Sequence, residues 1–506
     1  MNISEFRQYG RQMIDFIADY WESLRKRTPL PDVKPGFMNK LVPQHAPVMG
    51  EPWEKIFNDI DEVVINYNTH WHHPHFFAYF PTGISYQSIM GDILSGGIAS
   101  IGFSWQSSPS MTELEISMTN WLAKALELPA EFLNTENGPG IGIIQNTASD
   151  ATYLAILAAR GRAVERIKVS EDKIIGQELQ VISDGTGELC YYSYHDATII
   201  SKLVAYCSDQ AHSSVEKGVM LAAMRLRKLK TIRGGPFDNF FVNAETLEKA
   251  IMIDRQNGLV PFIFIMTLGT TSSCGMDPID KLGPICKREN IWIHIDSAYA
   301  GAFLLCPEYR YLSRGFEYID SFNMNAHKAL PINFDCSPMW FRNGKEILKY
   351  FAVNPIYLKY NQTCATDYRH FQIALGRRFR SLKVWFVLRN FGISGLQKHL
   401  RKMIDLAKNF EALIQEDQLL ELFVPRTLGM VCFRLKDSTN EMNEELNRRI
   451  NEDRRIHLVA SVVHGIYFIR FAVCSTLTTY EDIKQAHSII HNFAKDIRRD
   501  AKKILK

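Results

Sequence analysis

Lys328 and Asp296 are the two residues whose types and settings most invite chemistry. Lys328 closes the polar segment Asn323-Met-Asn-Ala-His-Lys328, and Asp296 directly follows the apolar run Ile291-Trp-Ile-His-Ile295. A carboxylate there should emerge at the carboxyl end of a strand, where open α/β sheets bind ligands. A lysine able to form a Schiff base, with a buried carboxylate able to keep a pyridine nitrogen protonated, is the pair needed to use pyridoxal phosphate as an electron sink. Each residue also has a plainer reading, Lys328 as a surface lysine and Asp296 as a helix N-cap.

Such a cofactor needs a phosphate cradle, and two segments offer hydroxyls and backbone N–H groups for one. They are Asn146-Thr-Ala-Ser149, entering a helix near Asp150, and Leu268-Gly-Thr-Thr271, following the run Phe262 to Met266. Either could equally be an N-cap or a turn. The histidines at 70, 72, 73 and 75 suggest a metal at first sight. Pro74 interrupts them and no cysteine or carboxylate falls at ligand spacing nearby, so no metal is expected.

The elements that must position these groups are legible in outline. Phe6, Met13, Ile14, Ile17, Trp21 and Leu24 recur at helical steps and predict an opening amphipathic helix, with Ser4 as its cap and Pro29, Pro31 and Pro35 beyond its end. From about residue 86 to 385, helical stretches alternate with short apolar runs such as Leu203-Val-Ala-Tyr-Cys207, which predicts a mainly parallel α/β sheet. Residues 165–195 read as a surface excursion. After 385 come a charged amphipathic stretch, a few strand-like segments and a last helix, the pattern of a small α+β domain. The expected division is an N-terminal helical segment for dimerisation over 1–85, a large cofactor-binding α/β domain over 86–385 and a small C-terminal domain over 386–506. An opening helix cut off by prolines cannot bury its own apolar face and must pack on the rest of the subunit or on a partner chain, which is the first hint of a homodimer.

Composition excludes several classes. The 506 residues are 46% hydrophobic and 11% aromatic, too apolar for wholesale disorder. A net charge of +3 over this length makes no global trap for nucleic acid. No apolar run approaches the length of a membrane helix. The charged start lacks a secretory signal and the nine cysteines are scattered without a Cys-x-x-Cys pair, so a cytoplasmic protein with reduced thiols is expected.

Taken together, the ordered segments resemble the aromatic-L-amino-acid decarboxylases, group II pyridoxal-phosphate-dependent decarboxylases of the type I aminotransferase-like fold. The resemblance spans nearly the whole chain. It rests on His70-Trp-His-His-Pro74, Phe76-Phe-Ala-Tyr-Phe-Pro-Thr82, Gly102-Phe-Ser-Trp105, Thr112-Glu-Leu-Glu115, Ser208-Asp-Gln-Ala-His-Ser-Ser214, Thr267-Leu-Gly-Thr-Thr271, His294-Ile-Asp296 and Asn333-Phe-Asp-Cys336.

The resemblance implies that Lys328 holds pyridoxal phosphate covalently, Asp296 pairs with its ring nitrogen, and Ala298 and His212 lie against its two faces. Thr147, Ala148, Ser149, Thr271, Asn325 and His327 would hold the phosphate. Tyr357 would return a proton to the substrate's Cα, next to a catalytic loop matching 361–367. Trp71, Tyr79, Phe80, Pro81, Thr82 and Phe103 would form an apolar slot for an aromatic side chain, Phe103 from a second subunit. Gly376 matches the glycine of decarboxylases for large aromatic substrates, where histidine decarboxylases carry serine.

The implied activity is decarboxylation of dopa, 5-hydroxytryptophan, tyrosine or tryptophan to the monoamine, as in catecholamine and other monoamine biosynthesis. Retention of both His212 and Tyr357 favours this over an aromatic aldehyde synthase on the same fold; histidine decarboxylase and a non-catalytic scaffold rank lower. The chain departs from the family pattern at Asn146, Ser297, Ala326 and Phe371, where glycine, alanine, proline and tryptophan are usual.

Overall fold

The computed structural model describes residues 1–136, 138–170, 180–183, 185–191, 194–352 and 366–504. Contacts divide the chain into two compact units, one made of residues 1–81 with 403–506 and the other of residues 82–402. The first unit joins the N-terminal segment and the C-terminal region that the sequence treats as separate domains.

The larger unit is built on a seven-stranded sheet. In chain order its strands are β1 (Ile141–Gln145), β2 (Leu203–Ser208), β3 (Arg225–Leu229), β4 (Val260–Thr267), β5 (Trp292–Asp296), β6 (Ser321–Asn323) and β7 (Ser337–Phe341). They lie in the order β1-β7-β6-β5-β4-β2-β3, parallel throughout except for β7, which runs against both its neighbours. Every residue of β1, β2 and β5 is buried, the signature of a sheet covered on both faces. The helix Ala148–Ser170 lies against it through a run of alanines, Ala151, Ala155, Ala158, Ala159 and Ala163, whose small side chains let helix and sheet approach closely. Six of the seven strands therefore point their carboxyl ends to the same rim, where the chemistry-bearing loops begin.

The smaller unit has a four-stranded antiparallel sheet of Leu420–Thr427, Met430–Leu435, Ile466–Ala472 and Val459–Val463 in that order, covered by the helix Tyr480–Ile504. Phe77 is stitched into this unit: its N–H donates to His457 O at 3.0 Å, its carbonyl accepts from Ala472 N at 3.0 Å, and its ring stacks on Phe471 at 4.0 Å. These bonds tie the 70–81 segment to residues 457–472, which are remote in sequence.

One local expectation is corrected. The opening helix runs Ile3–Ser23, but its cap is Asn2, not Ser4: Asn2 Oδ1 accepts from Glu5 N at 3.0 Å while Glu5 Oε2 accepts from Asn2 N at 2.7 Å. This reciprocal box satisfies two amides at once, which a serine inside the first turn cannot do. In the described part of 165–195 the preceding helix continues to Ser170, and Gln180–Ser183 pairs with Glu188–Tyr191.

Burial has an acid–base consequence. Loss of solvent pushes the pKa of His294 down to about 3, and is the main reason His70, His72, His73, His327, His399 and His457 lie at about 4. In the unfolded chain these rings take up protons near pH 6.5, at roughly the ordinary histidine value. The unfolded state thus binds more protons between about pH 6.5 and pH 4, and stability is lost as pH falls through that window. Urea midpoints measured across it should decline steadily; a flat profile would contradict the assignment.

Candidate active site

Asp296 ends β5 at the carboxyl rim and is 4% exposed. Its Oδ1 accepts from Ala298 N at 3.1 Å, which fixes the carboxylate over the turn that follows. Thr267 of β4 and Asn323 of β6 are its direct partners across the sheet. From Asn323 the chain turns back: Asn325 N donates to Ala298 O and Lys328 N donates to Asn325 O, both at 3.1 Å. Lys328 therefore sits in a one-turn helix, Ala326–Ala329, tied to the loop after Asp296. Gly83 N donates to His327 O at 2.6 Å and His327 N donates to Cys336 O at 3.2 Å, bracing that turn from two other segments.

His212 lies just beyond β2 and feels both charges. Burial around the ring lowers its pKa, Asp296 opposes that, and the Lys328 ammonium adds to it. Ser214 N donates to His212 Nδ1 at 3.2 Å, so Nδ1 is the acceptor and the ring proton is on Nε2. That leaves an N–H donor on the ring's open edge. His327 is set the same way, with Cys336 N donating to its Nδ1 at 2.8 Å.

The phosphate candidates also lie along this rim. Thr147 and Ala148 open the helix Ala148–Ser170 directly after β1, Thr147 Oγ1 accepting from Asp150 N at 3.3 Å, and the exposed Ser149 is in its first turn. The first amides of a helix have no partner within it and favour an anion. Thr271 is exposed in the loop after β4, and Thr270 is spent on Gly275 N at 2.8 Å. Asn325 Oδ1 and Ser297 Oγ are buried without a hydrogen-bond partner among the described residues. A lysine and a carboxylate on adjoining loops of the rim, amides and hydroxyls for a phosphate, and an orphaned amide oxygen form a donor set that fits pyridoxal phosphate.

The remaining predicted residues fall as follows. Trp71, Tyr79, Phe80 and Pro81 belong to the smaller unit. There Trp71 stacks on Tyr79 at 5.2 Å, and the buried Arg470 lies over the Phe80 ring at 5.1 Å while donating to Tyr79 O at 3.0 Å. Thr82, Phe103 and Gly376 belong to the larger unit, where Phe103 O accepts from Arg369 N at 3.1 Å. A Cβ at Gly376 would meet only Ile101 Cγ2 at 3.6 Å, so the glycine is not forced by crowding. Tyr357 and residues 361–365 lie outside the described residues. Among the described residues no group of three or more His, Cys, Asp or Glu side chains could hold a metal ion.

Two features escape motif reading. Arg380 Nη2 donates to Asp335 Oδ2 at 2.8 Å and to Asn146 Oδ1, so the unusual Asn146 has a partner beside the phosphate candidates. Deeper in, Arg377 and Glu115 form a fully buried ion pair, and Glu115 Oε1 also accepts from Ile144 N of β1 at 2.7 Å. Ser297, the second departure, gains nothing visible from its hydroxyl. Ser297→Ala is expected to stabilise the cofactor-free protein by about 1 kcal/mol, because it removes an unsatisfied buried group. Urea denaturation checks this, and a loss of stability would reveal a partner for the hydroxyl.

A mainly parallel sheet with lysine, aspartate and histidine at its carboxyl rim defines a pyridoxal-phosphate enzyme of the type I aminotransferase-like fold. The pyridoxal-dependent decarboxylase conserved domain matches residues 35–185 and 190–436, and the chain belongs to that family of carboxy-lyases. It is 47% identical over 484 residues, 96% of this chain and 90% of the relative, to the aromatic-L-amino-acid decarboxylase of Manduca sexta. Its fold matches Oryza sativa TDC with PLP and tryptamine at a TM-score of 0.89 and 33% identity, covering 98% and 99% of the two chains. It matches Rhodiola rosea 4-hydroxyphenylacetaldehyde synthase at 0.85 and 33%, with the same coverage.

Proposed function

We propose that this enzyme removes the α-carboxyl group of an aromatic L-amino acid, with dopa, 5-hydroxytryptophan, tyrosine and tryptophan as candidate substrates, and releases the monoamine. The observation that carries the reading is the mutual setting of Lys328, Asp296 and His212 with its outward Nε2–H. The near-full-length likeness to an aromatic-L-amino-acid decarboxylase supports the substrate class.

Lys328 Nζ would hold pyridoxal phosphate covalently, Asp296 would keep its ring nitrogen protonated, and Ala298 and His212 would pack on the ring. Thr147, Ala148, Ser149, Thr271, Asn325 and His327 hold its phosphate. Bound there, pyridoxal phosphate supplies an electron sink for the pair left on Cα when the carboxylate departs. His212 donates its Nε2 proton to a hydrogen bond with the substrate carboxylate and so orients the bond to be broken. Tyr357 would deliver its hydroxyl proton to Cα. Thr82 and Gly376 are candidate contacts of the substrate ring within residues 82–402, with Phe103 supplied by a second subunit. Among the described residues seven cysteines are free and buried, which suits a reducing, cytoplasmic setting.

Incubating cofactor-loaded protein with each candidate and with histidine, while following amine, aldehyde and peroxide together, tests this reading. Amine without peroxide is expected. Aldehyde with matching peroxide would instead assign the chain the chemistry named for the Rhodiola rosea protein.

The working form is a homodimer. No residue of the helix Ile3–Ser23 is buried in the single chain, and its Ile3, Phe6 and Ile14 are exposed, as are Tyr86, Met90, Ile93, Leu94 and Ile98 in the helix Tyr86–Ile98. Exposed apolar helix faces of this kind mark interfaces. Sedimentation at micromolar concentration should return twice the 58.1 kDa chain mass; a monomer would overturn the assignment.

A further inference from the structure

The larger unit has a cavity of ≈ 310 Å³ that uses none of the residues assigned to the cofactor or substrate. That volume is at the lower end of sites that hold small organic ligands, roughly 300–1,000 Å³. Its apolar lining includes Phe237, Phe241, Leu268, Met276, Tyr311 and Leu312. Phe237 and Tyr311 are stacked, with ring centres 5.9 Å apart and planes inclined by 27°. Two flat rings side by side favour an aromatic guest over a branched aliphatic one.

The walls are backbone packed on backbone. A Cβ at Gly275 would fall 2.3 Å from Phe240 O, and one at Gly315, whose φ is +90°, would fall 2.6 Å from Asp280 N. Such contacts cannot relax inward, so the cavity is preformed and a guest need not open it.

Charge at the opening selects further. Lys281, Asp280 and Arg314 line the cavity and are exposed. Lys281 is matched by Asp280 at 3.4 Å, whereas the Arg314 guanidinium has no ion pair or side-chain hydrogen bond among the described residues. A planar fork of donors beside an aromatic slot matches a carboxylate carried on a short aryl chain.

The cavity also touches the cofactor rim mechanically. Leu268 N donates to Asp296 O at 3.0 Å, and Asp277 Oδ2 accepts from Thr267 N at 2.9 Å. Both Leu268 and Asp277 are cavity walls, and the phosphate candidate Thr271 lies on the loop between them.

We propose that this cavity is a second ligand site, taking a small aryl-alkyl carboxylate whose occupancy is transmitted to the cofactor through the 267–277 segment. The coupling arm rests on the reading of the rim as the cofactor site; the binding arm does not.

Phenylbutyrate is the probe, titrated into the holoenzyme by calorimetry alongside the neutral phenylbutyramide. Saturable binding is expected, weaker by about tenfold for the amide, in line with the loss of one charge-assisted contact. Arg314→Gln, a surface change, should weaken phenylbutyrate by a similar factor with turnover unchanged, and Leu312→Trp should abolish binding by filling the cavity. The visible spectrum of the bound cofactor should shift as phenylbutyrate saturates. Absence of saturable binding at millimolar concentration, or binding indifferent to Arg314→Gln and Leu312→Trp, would overturn the site. Binding that obeys both variants but leaves the cofactor spectrum and cofactor dissociation unchanged would overturn the coupling alone.

Discussion

Lys328→Ala is expected to fold normally and to lose turnover by about four orders of magnitude or more, the scale of removing a residue that acts covalently. The expectation of normal folding follows from the bonds that shape its turn, which are all made by backbone atoms: Lys328 N to Asn325 O, His327 N to Cys336 O and Gly83 N to His327 O. Alanine keeps every one of them. The variant should no longer retain the cofactor through borohydride reduction and denaturation, whereas the parent protein should. Added small amines should recover part of the activity, because they replace the missing nucleophile without restoring its tether. A variant that still carried reduced cofactor on the chain would place the attachment at another lysine.

The largest effect on stability should come from the buried pair Glu115–Arg377. Arg377 donates to Glu115, to Gln372 Oε1 at 2.6 Å and weakly to Ile144 O, and its guanidinium lies 4.7 Å from the Tyr368 ring centre. Glu115 in turn holds Ile144 N of β1. Removing one partner leaves the other charge desolvated and alone, which typically costs about 3–5 kcal/mol. Arg377→Met is therefore expected to lower the urea midpoint sharply, and Glu115→Leu with Arg377→Met together to recover most of the loss. Equal losses in the single and double variants would show that the pair's shape, rather than its charge, is what the core needs.

The two halves of the site differ in how legible they are from the sequence. Asp296 and Lys328 declare themselves because the features that place them are short-range: an apolar strand ends at one, and a tight polar turn carries the other. The strands around Leu203–Cys207, Phe262–Met266 and Ile291–Ile295 are legible for the same reason, since burial on both faces demands an unbroken apolar run. Glu115 and Arg377 meet across 262 residues of sequence, and no local pattern announces which glutamate meets which arginine. The cap at Asn2 was displaced from Ser4 because a capping box depends on a second residue, Glu5, reaching back. Phe77 looks like any core phenylalanine until the strands near His457 and Ala472 are folded beside it.

The reversed strand β7 sets the order in which the molecule can be made. Ile141 is hydrogen-bonded through β7 to the rest of the sheet by pairing with Phe341, about two hundred residues later, and Gln145 pairs with Ser337. During synthesis the strand that leads into Thr147, Ala148 and Ser149 must therefore wait as an open edge until about two hundred further residues have followed it. Open edges invite pairing with other chains. A nascent chain that stalls after Lys328 but before Phe341 carries Lys328 and the Thr147–Ser149 segment without the strand that joins them. Chaperone demand, and sensitivity of yield to slow codons, should concentrate in that interval.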